Sequence, residues 1–262
     1  MTAETPATGW TILVVSLADA GERRARITAM LERTDWPWRF LDGARSEPAA
    51  APYDATAAMR HRGRPLTPAE RGCFGSHHAA WAALIADAAL SHVLVIEDDV
   101  LLDPGFDFAG LPALMTATGI DYLRLYARFS VASRRIALVG HRWLIRFRRP
   151  PYGTQCYMLS RHGAATLLAA ATSVSRPIDD EMDRYWHNGL PIYALYPFPV
   201  LEMQSGSSIR ATEVLPTEVS GLAHRRWQAL RIAEWLKSWG CDRALRAKDR
   251  AVAAALARFQ TG

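Results

Sequence analysis

The sequence is poor in cysteine. Its 262 residues contain only three, Cys73, Cys156 and Cys241, and these lie far apart. They form no CxxC pair and show no zinc-ligand spacing. An odd number of widely separated cysteines is not the framework of a disulfide-rich secreted domain. The cysteine pattern therefore favours a reduced, cytoplasmic protein.

Long apolar runs and targeting signals are also missing. No run approaches the ~20 apolar residues that a membrane-spanning helix needs. Residues 1–9 lack the basic segment followed by an apolar core that marks a signal peptide. Half of all residues are hydrophobic, which is enough for a sizeable core. We expect a cytoplasmic protein, with peripheral attachment to the inner face of the cytoplasmic membrane left open.

Positive charge is unevenly distributed along the chain. The formal net charge is +5, but residues 222–262 carry nine Lys/Arg against three Asp/Glu, a net charge of +6. A second basic cluster of eight arginines lies between Arg124 and Arg149. Such clusters attract phosphate-bearing lipids or glycans. We predict no nucleic-acid partner, because no helix-turn-helix, zinc-finger or RNP pattern accompanies the charge.

Strand and helix signals alternate in the first half of the chain, and strands crowd together in the second. Apolar and β-branched runs predict strands near residues 11–15, 38–41, 93–96, 121–126, 136–139, 143–147, 155–159, 192–195 and 200–202. Helices are predicted over residues 22–33, from Thr67 or the Ser76 region to about Leu90, over 160–171 and from Pro177 onward. Residues 46–66 are predicted to be an irregular loop. This pattern is typical of an α/β domain with a mainly parallel sheet.

The most informative segment is an apolar strand that ends in three carboxylates. Residues 93–96 are Val-Leu-Val-Ile, and Glu97, Asp98 and Asp99 follow directly. Adjacent carboxylates beside a buried strand stay ionised only where a cation or strong donors meet them. Ligands of α/β folds bind at the carboxyl ends of strands. We therefore predict a divalent metal that bridges the protein to a charged substrate; the alternative is a solvated polar loop.

The composition changes after about residue 215. We predict a first domain of residues 1–215 and a basic helical extension of residues 216–262. Two apolar stripes with helical spacing lie on either side of Gly240: Ile232, Trp235, Leu236 and Trp239, then Leu245, Val252, Leu256 and Phe259. We expect two amphipathic helices. They either pack on the first domain or lie on an anionic membrane surface.

Four segments, taken in order, resemble glycosyltransferase family 25, the bacterial lipopolysaccharide and β-1,4-galactosyltransferase type. They are Val15-Ser16-Leu17 with Glu22-Arg23-Arg24, the stretch 66–81, Ile96 to Val100, and the stretch 152–160 with Pro177-Ile178-Asp179. The resemblance covers residues 11–210 and leaves out the basic tail. Arg71, which replaces an aliphatic residue, and a second acid, Asp180, depart from the family pattern.

The resemblance implies a GT-A-like nucleotide-sugar-binding fold and a hexosyltransferase. Such an enzyme moves a hexose, galactose being favoured, from a UDP-sugar donor to a hydroxyl of a glycan or lipid-linked glycan acceptor. The implied setting is lipopolysaccharide or surface-glycan assembly, with inversion at the anomeric carbon and Mn²⁺ or Mg²⁺ as cofactor. Residue chemistry agrees, because the diphosphate charge must be neutralised as the sugar–phosphate bond breaks, and carboxylates are hard metal ligands.

The candidate site residues fall into three groups. Alternate residues of a strand point the same way, so Glu97 and Asp99 are predicted metal ligands, and Asp98 faces a ribose or sugar hydroxyl on the other side. Ser16, Leu17, Arg24 and His77 are predicted to contact the donor as well. Asp179 and Asp180 are candidates for the base that takes the acceptor proton, or they are only helix caps.

Two other functions remain open on the sequence alone. A nucleotidyltransferase acting on sugar phosphates would use the same acids, but it would want a glycine-rich phosphate loop after the first strand. Residues 16–21, Ser-Leu-Ala-Asp-Ala-Gly, are a poor one. A non-catalytic, membrane-associated scaffold is suggested by the basic tail.

Overall fold

The computed structural model describes residues 9–203 and 222–261, with side chains described from residue 228 in the second stretch. The strands are β1 (Gly9–Ser16), β2 (Trp38–Asp42), β3 (Leu90–Glu97), β4 (Val100–Leu102), β5 (Tyr122–Arg124), β6 (Ser133–Val139), β7 (Arg142–Phe147), β8 (Cys156–Ser160), β9 (Tyr193–Tyr196) and β10 (Val200–Glu202). The helices are α1 (Gly21–Leu31), α2 (Ala55–Arg62), α3 (Pro68–Ala86), α4 (Leu111–Thr118), α5 (Arg161–Ala170), α6 (Ile178–Met182), α7 (Tyr185–Asn188) and α8 (Leu222–Thr261).

Eight strands form one mixed sheet in the order β2-β1-β3-β8-β5-β9-β7-β6. β1 pairs in parallel with β2 and β3, and β5 pairs in parallel with β9. β7 and β8 run antiparallel to both of their neighbours. Most strands therefore point the same way, as the alternation of strands and helices predicts. β4 and β10 form a separate antiparallel pair.

The sheet is buried on both faces, and alternate residues of its central strands enter two different cores. Leu13 and Val95 lie in one core, against Trp81 of α3. Ile12 and Ile96 lie in the other, which α1, α4 and α8 cover. The four residues before the acidic triplet are fully buried, as predicted. This burial fixes the direction in which the strand delivers its carboxylates.

Helix α3 begins as the sequence predicts. The Thr67 hydroxyl accepts a hydrogen bond from the Glu70 backbone N–H at 3.2 Å, and a Glu70 carboxylate oxygen accepts one from the Thr67 N–H at 2.8 Å. This capping box, with Pro68 in the first turn, satisfies donors that a helix start leaves unpaired. Gly75 allows the backbone at Ser46 to lie close to α3, since a Cβ at position 75 would meet the Ser46 carbonyl oxygen at 2.2 Å.

The prediction of an irregular loop over residues 46–66 is wrong in part, because α2 lies within it. Asp54 caps this helix by accepting from the Ala57 backbone N–H at 2.8 Å. Gly63, with φ of 71°, ends it in the left-handed conformation. Both are ordinary helix-boundary signals, but the many prolines and alanines of this stretch obscure them.

The prediction of two C-terminal helices is also wrong, since α8 is one continuous helix of 40 residues. Gly240 lies inside it, where a single glycine costs only about 1 kcal/mol relative to alanine. The second half of α8 packs on the sheet, with Val252 and Leu256 buried. Trp235 and Trp239, in the first half, are 53% and 52% exposed. Neither tryptophan is therefore buried against the other described parts of the chain.

Two of the eight arginines between Arg124 and Arg149, Arg124 and Arg146, are buried. Arg146 is fully buried in β7, and its guanidinium contacts Asp249 at 2.7 Å and Asp242 at 2.8 Å, both on α8. Arg148 reaches Asp242 at 2.9 Å. Arg146 and Arg148 therefore tie α8 to the sheet, whereas Arg128, Arg135 and Arg149 of the cluster are exposed. None of the described helices has the length and apolar character needed to cross a membrane.

Candidate active site

The carboxyl ends of three parallel strands meet at one edge of the sheet. In register, Ser16 of β1 lies beside Asp42 of β2, and Val15 lies beside Glu97 of β3. The reversed strand β8 starts at the same edge, where the Glu97 N–H donates to the Gln155 carbonyl oxygen at 2.9 Å. A cavity of about 380 Å³ opens there. This is the edge at which α/β folds bind ligands.

The acidic triplet divides between two sides of this edge. Glu97 and Asp99 line the cavity. Asp98 turns away from it, and its carboxylate accepts a hydrogen bond from the Ser16 hydroxyl at 2.5 Å. The Arg23 guanidinium lies 3.4 Å from the other Asp98 oxygen. The structure thus has the alternation that the strand period predicts.

Asp99 forms no ion pair among the residues that the structure describes. It is 8% exposed, and its Oδ1 atom has no hydrogen-bond partner among the described residues. Burial, together with the charges of Glu97, Asp98 and Glu202, raises the pKa of Asp99 to about 7. A buried carboxylate among other acids is costly to ionise unless a cation approaches it. A divalent metal with oxygen ligands therefore fits this position.

A buried chain of hydrogen bonds from Trp81 through Tyr157 to His77 lies behind Glu97. The Trp81 Nε1–H donates to the Tyr157 hydroxyl at 3.0 Å, and that hydroxyl lies 2.9 Å from His77 Nδ1. The Tyr157 hydroxyl accepts from the indole, and which group donates between Tyr157 and His77 Nδ1 depends on the imidazole tautomer. Nε2 faces a Glu97 oxygen at 3.6 Å. Thr154 donates its hydroxyl hydrogen to the same Glu97 oxygen.

His77 lies within a second group of potential metal ligands. The ligand atoms of Cys73, His77 and Glu97 lie within 4.8 Å of one another. Metal binding would require a thiolate and an unprotonated imidazole nitrogen. Burial raises the pKa of the Cys73 thiol well above its ordinary value, which disfavours the thiolate. Glu97 and Asp99 line the cavity, so oxygen ligands for a cation are available there.

The predicted donor contacts gather at the end of β1. The Arg24 guanidinium donates to the Ser16 carbonyl oxygen at 2.9 Å and to the Leu17 carbonyl oxygen at 3.1 Å. It also pairs with Asp42 and lies 4.5 Å from the centre of the Phe40 ring. The structure thus brings Ser16, Leu17, Arg24 and Asp98 together. His77 is fully buried and does not line the cavity.

Asp179 and Asp180 line the same cavity but are held differently. The two Asp179 oxygens accept from backbone N–H groups, of Gly153 at 3.1 Å and of Asp180 at 2.9 Å. Asp180 lies 3.5 Å from the Arg176 guanidinium and 3.9 Å from that of Arg62. Burial raises the pKa of Asp180, although both arginines oppose the shift.

A buried ion pair, absent from the sequence-based prediction, shapes the cavity wall. The Arg124 guanidinium contacts Asp183 at 2.6 Å and donates to the Tyr152 carbonyl oxygen at 3.1 Å. Asp183 in turn accepts from the Tyr152 N–H at 2.8 Å. This pair holds Tyr152 and Gly153 at φ of 56° and 85°, so that Thr154 reaches Glu97. The two charged residues are 59 positions apart, and no local signal links them.

The sequence-based prediction of the site also omits Arg23 and Glu202. Arg23 stands beside Arg24 in the sequence, and no spacing rule tells which of the two meets Asp98. Glu202 lines the cavity, and its carboxylate accepts from the Tyr126 hydroxyl at 2.6 Å. The pairing of β10 with β4 brings it there, and sequence periodicity gives no sign of that pairing.

Residues 10–182 of the chain match the model of a protein family described as "Glycosyltransferase family 25 (LPS biosynthesis protein)". The lacto-N-neotetraose biosynthesis glycosyltransferase LgtB of Neisseria meningitidis serogroup B is 36% identical over 93 residues, which are 35% of this chain and 34% of LgtB. A probable inactive glycosyltransferase 25 family member 3 of Rattus norvegicus is 28% identical over 171 residues, 61% of this chain and 30% of the rat protein. These matches span about a third of either relative.

A solved structure also aligns with the fold. It is a Drosophila β-1,4-galactosyltransferase 7 mutant in complex with manganese, UDP-Gal and xylobiose. The alignment covers 83% of this chain and 79% of the Drosophila chain, with 9% identity and a TM-score of 0.36.

All four segments that carry the family resemblance lie within residues 10–182, which match the family, so that resemblance is confirmed.

Proposed function

The chain belongs to glycosyltransferase family 25, and from that premise we propose that it transfers a hexose from a UDP-sugar to a glycan hydroxyl in lipopolysaccharide or surface-glycan assembly. We favour galactose as the hexose and a GT-A-like arrangement of the sheet. One observation carries the proposal: the buried carboxylate of Asp99, whose Oδ1 has no hydrogen-bond partner in the described part of the chain, lines a cavity that the backbone-held carboxylate of Asp179 also lines. A cation site and a base in one cavity are what metal-dependent sugar transfer needs.

We propose that the nucleotide end of the donor binds where β1 and β3 end. Ser16, Leu17, Arg24 and Asp98 gather there, with peptide carbonyls, a guanidinium and a carboxylate in one place. Asp98 on this side suits a ribose hydroxyl. We assign His77 a supporting role instead of a donor contact, since it is buried behind Glu97.

The cation, Mn²⁺ or Mg²⁺, would be held by Asp99 and Glu97. When bound, it supplies positive charge to the diphosphate that leaves the sugar. The chain's own residues position the ligands. The Thr154 hydroxyl donates to Glu97, and His77 lies behind it. The Arg124–Asp183 pair holds the backbone of Tyr152 on the other side of the cavity.

We propose Asp179 as the base. Its oxygens are fixed by two backbone N–H groups and its side chain is part of the cavity wall, whereas Asp180 is drawn toward Arg176 and Arg62. Asp179 takes the proton of the acceptor hydroxyl as that oxygen attacks the anomeric carbon, and UDP leaves from the opposite side. A single displacement of this kind inverts the configuration, so an α-linked donor gives a β-linked product.

Donor-dependent release of UDP tests the proposal. Purified protein is incubated with UDP-galactose, UDP-glucose or UDP-GlcNAc, with Mn²⁺ or with a chelator, and thermal stabilisation is measured in parallel because a bound donor raises the melting point. We expect UDP release and stabilisation only with Mn²⁺, and neither in Asp99→Asn. Pyrophosphate exchange in place of UDP release would indicate a nucleotidyltransferase. Stabilisation by none of the donors would indicate a non-catalytic scaffold.

We further propose that α8 attaches the protein to an anionic membrane surface, where a lipid-linked acceptor is presented. Ile232, Trp235, Leu236 and Trp239 are each more than half exposed, and the exposed side chains of Lys237 and Arg243 lie in the same stretch. Interfacial tryptophans and basic residues are typical of helices that lie in the membrane surface. The division into residues 1–215 and 216–262 stays a proposal, because its boundary lies outside the described residues.

Vesicle co-sedimentation tests this attachment. The double substitution Trp235→Ser with Trp239→Ser should abolish binding to anionic vesicles while it leaves UDP release from a soluble acceptor unchanged. Phe259→Ser, a substitution of another exposed residue of the same helix, is the matched control. If the double variant sediments with anionic vesicles as well as the Phe259→Ser control does, the tryptophans are not the membrane anchor.

A further inference from the structure

We infer that Glu202 is a third carboxylate of the cation site and that Tyr126 orients it. The inference rests on the proposed metal-dependent transfer and extends it to two residues outside the acidic triplet. Neither lies in the segments that carry the family resemblance.

The backbone places Glu202 next to the triplet. β10 pairs antiparallel with β4, which puts Glu202 opposite Val100. One residue further on, the Met203 N–H donates to the Asp99 carbonyl oxygen at 2.7 Å. The end of β10 is therefore fixed to the residue that we assign as a metal ligand. Asp99 and Glu202 line the same cavity.

Tyr126 fixes the direction of the Glu202 carboxylate. Its hydroxyl donates to Glu202 Oε2 at 2.6 Å, a short hydrogen bond of the kind that charged acceptors make. The Tyr126 ring packs against the core that β1, β3 and β8 share. Side chains that hydrogen-bond to a metal ligand set its orientation and tune its affinity.

The buried Asp99 carboxylate at this wall of the cavity suits a positively charged partner. Asp99 is more than nine-tenths buried with one oxygen unpartnered, and no arginine forms an ion pair with it among the described residues. The acids Glu97 and Glu202 line the wall with it. A hard divalent cation is bound by carboxylate oxygens together with water and substrate phosphates. Asp99 and Glu202 supply two carboxylates from two different strand ends, with Glu97 beside them.

Mn²⁺ binding to the full chain without donor, followed by electron paramagnetic resonance, tests the inference apart from catalysis. Glu202→Gln keeps the size of the side chain and removes its charge, and we expect it to raise the Kd for Mn²⁺ by at least about tenfold. Tyr126→Phe removes only the hydroxyl that orients Glu202, so it should raise the Kd for Mn²⁺ by a smaller factor than Glu202→Gln does. Loss of such an outer partner typically changes metal affinity by about 10- to 100-fold. Leu201→Ala is the matched control, because Leu201 is 65% exposed on the same strand, and its Kd should equal that of the unmodified protein.

The outcomes separate this inference from the proposed function. If Glu202→Gln keeps its fold by circular dichroism and binds Mn²⁺ as tightly as the unmodified protein, while Asp99→Asn does not, the role of Glu202 is overturned and the transferase proposal stands. If the unmodified protein binds no Mn²⁺ and releases UDP equally well with a chelator, both the cation site and the metal dependence are overturned.

Discussion

At the residue scale, Asp179 and Asp180 show how two adjacent acids acquire different chemistry. Backbone donors hold Asp179, and arginines hold Asp180. A base must face its substrate with a free lone pair, and the guanidiniums of Arg176 and Arg62 draw the Asp180 carboxylate to their side. The sequence alone gives two interchangeable candidates, and only the neighbours in space distinguish them.

Asp179→Asn should lower kcat by about 10²- to 10⁴-fold, the usual contribution of a positioned base, with little change in the KM for the donor. Asp180→Asn should keep most of the turnover, since Arg176 and Arg62 remain in place. Steady-state kinetics of the two proteins with one donor and one acceptor decide the assignment. The reverse ranking would make Asp180 the base.

Asp99 illustrates a conflict between stability and function. Its pKa of about 7 lies above that of an unfolded aspartate, so the folded state binds the proton more tightly than the unfolded state does. Stability is therefore lost as pH rises from about 4 to about 7. In a chelator, Asp99→Asn should be more stable than the unmodified protein at pH 8, by up to about 4 kcal/mol from a shift of this size, and equally stable near pH 4. Urea unfolding at both pH values measures this difference, and a destabilised Asn variant at pH 8 would contradict it.

At the element scale, the sequence predicts well whatever depends on local periodicity and caps. The strand before Glu97 and the Thr67 helix start are of this kind. The unpredicted features depend on pairing between distant segments, such as β4 with β10, or on ion pairs such as Arg124 with Asp183. The candidate site divides in the same way: the triplet follows from its strand, whereas Glu202 requires knowledge of the sheet.

The contact between β7 and α8 gives a sharp prediction at this scale. Arg146 is fully buried between Asp242 and Asp249. Breaking a buried pair outright costs about 3–5 kcal/mol, but Asp242 still contacts Arg146 when Asp249 is removed. Asp249→Ala should therefore lower the free energy of unfolding by less, about 1–3 kcal/mol. Arg246→Ala, a substitution of an exposed residue on the same helix, is the control and should change stability little.

At the scale of the whole molecule, one polar network joins three separate parts of the chain near the cavity. Arg176 precedes α6, and its guanidinium donates to His61 Nδ1 of α2 at 2.8 Å and to Glu234 of α8 at 2.8 Å. Arg184 reaches Glu234 at 3.2 Å. Since Arg176 also approaches Asp180, the network links the packing of α8 to the wall that carries the proposed base.

His61 makes this network sensitive to acid. Burial, then the positive charge of Arg176, lowers the pKa of His61 to about 4; Glu234 opposes the shift, and Arg184 and Arg60 add to it. The unfolded state therefore binds more protons between about pH 6.5 and pH 4, and the contribution of neutral His61 to stability is lost as pH falls through that window. Because His61 is only partly buried, we expect a loss of about 1 kcal/mol, well below that of a fully buried group. His61→Gln, which cannot titrate, should lose less stability than the unmodified protein between pH 7 and pH 4.5 in urea unfolding, whereas His162→Gln, on α5, should lose as much as the unmodified protein. Identical pH profiles for the His61→Gln and unmodified proteins would show that this network does not sense pH.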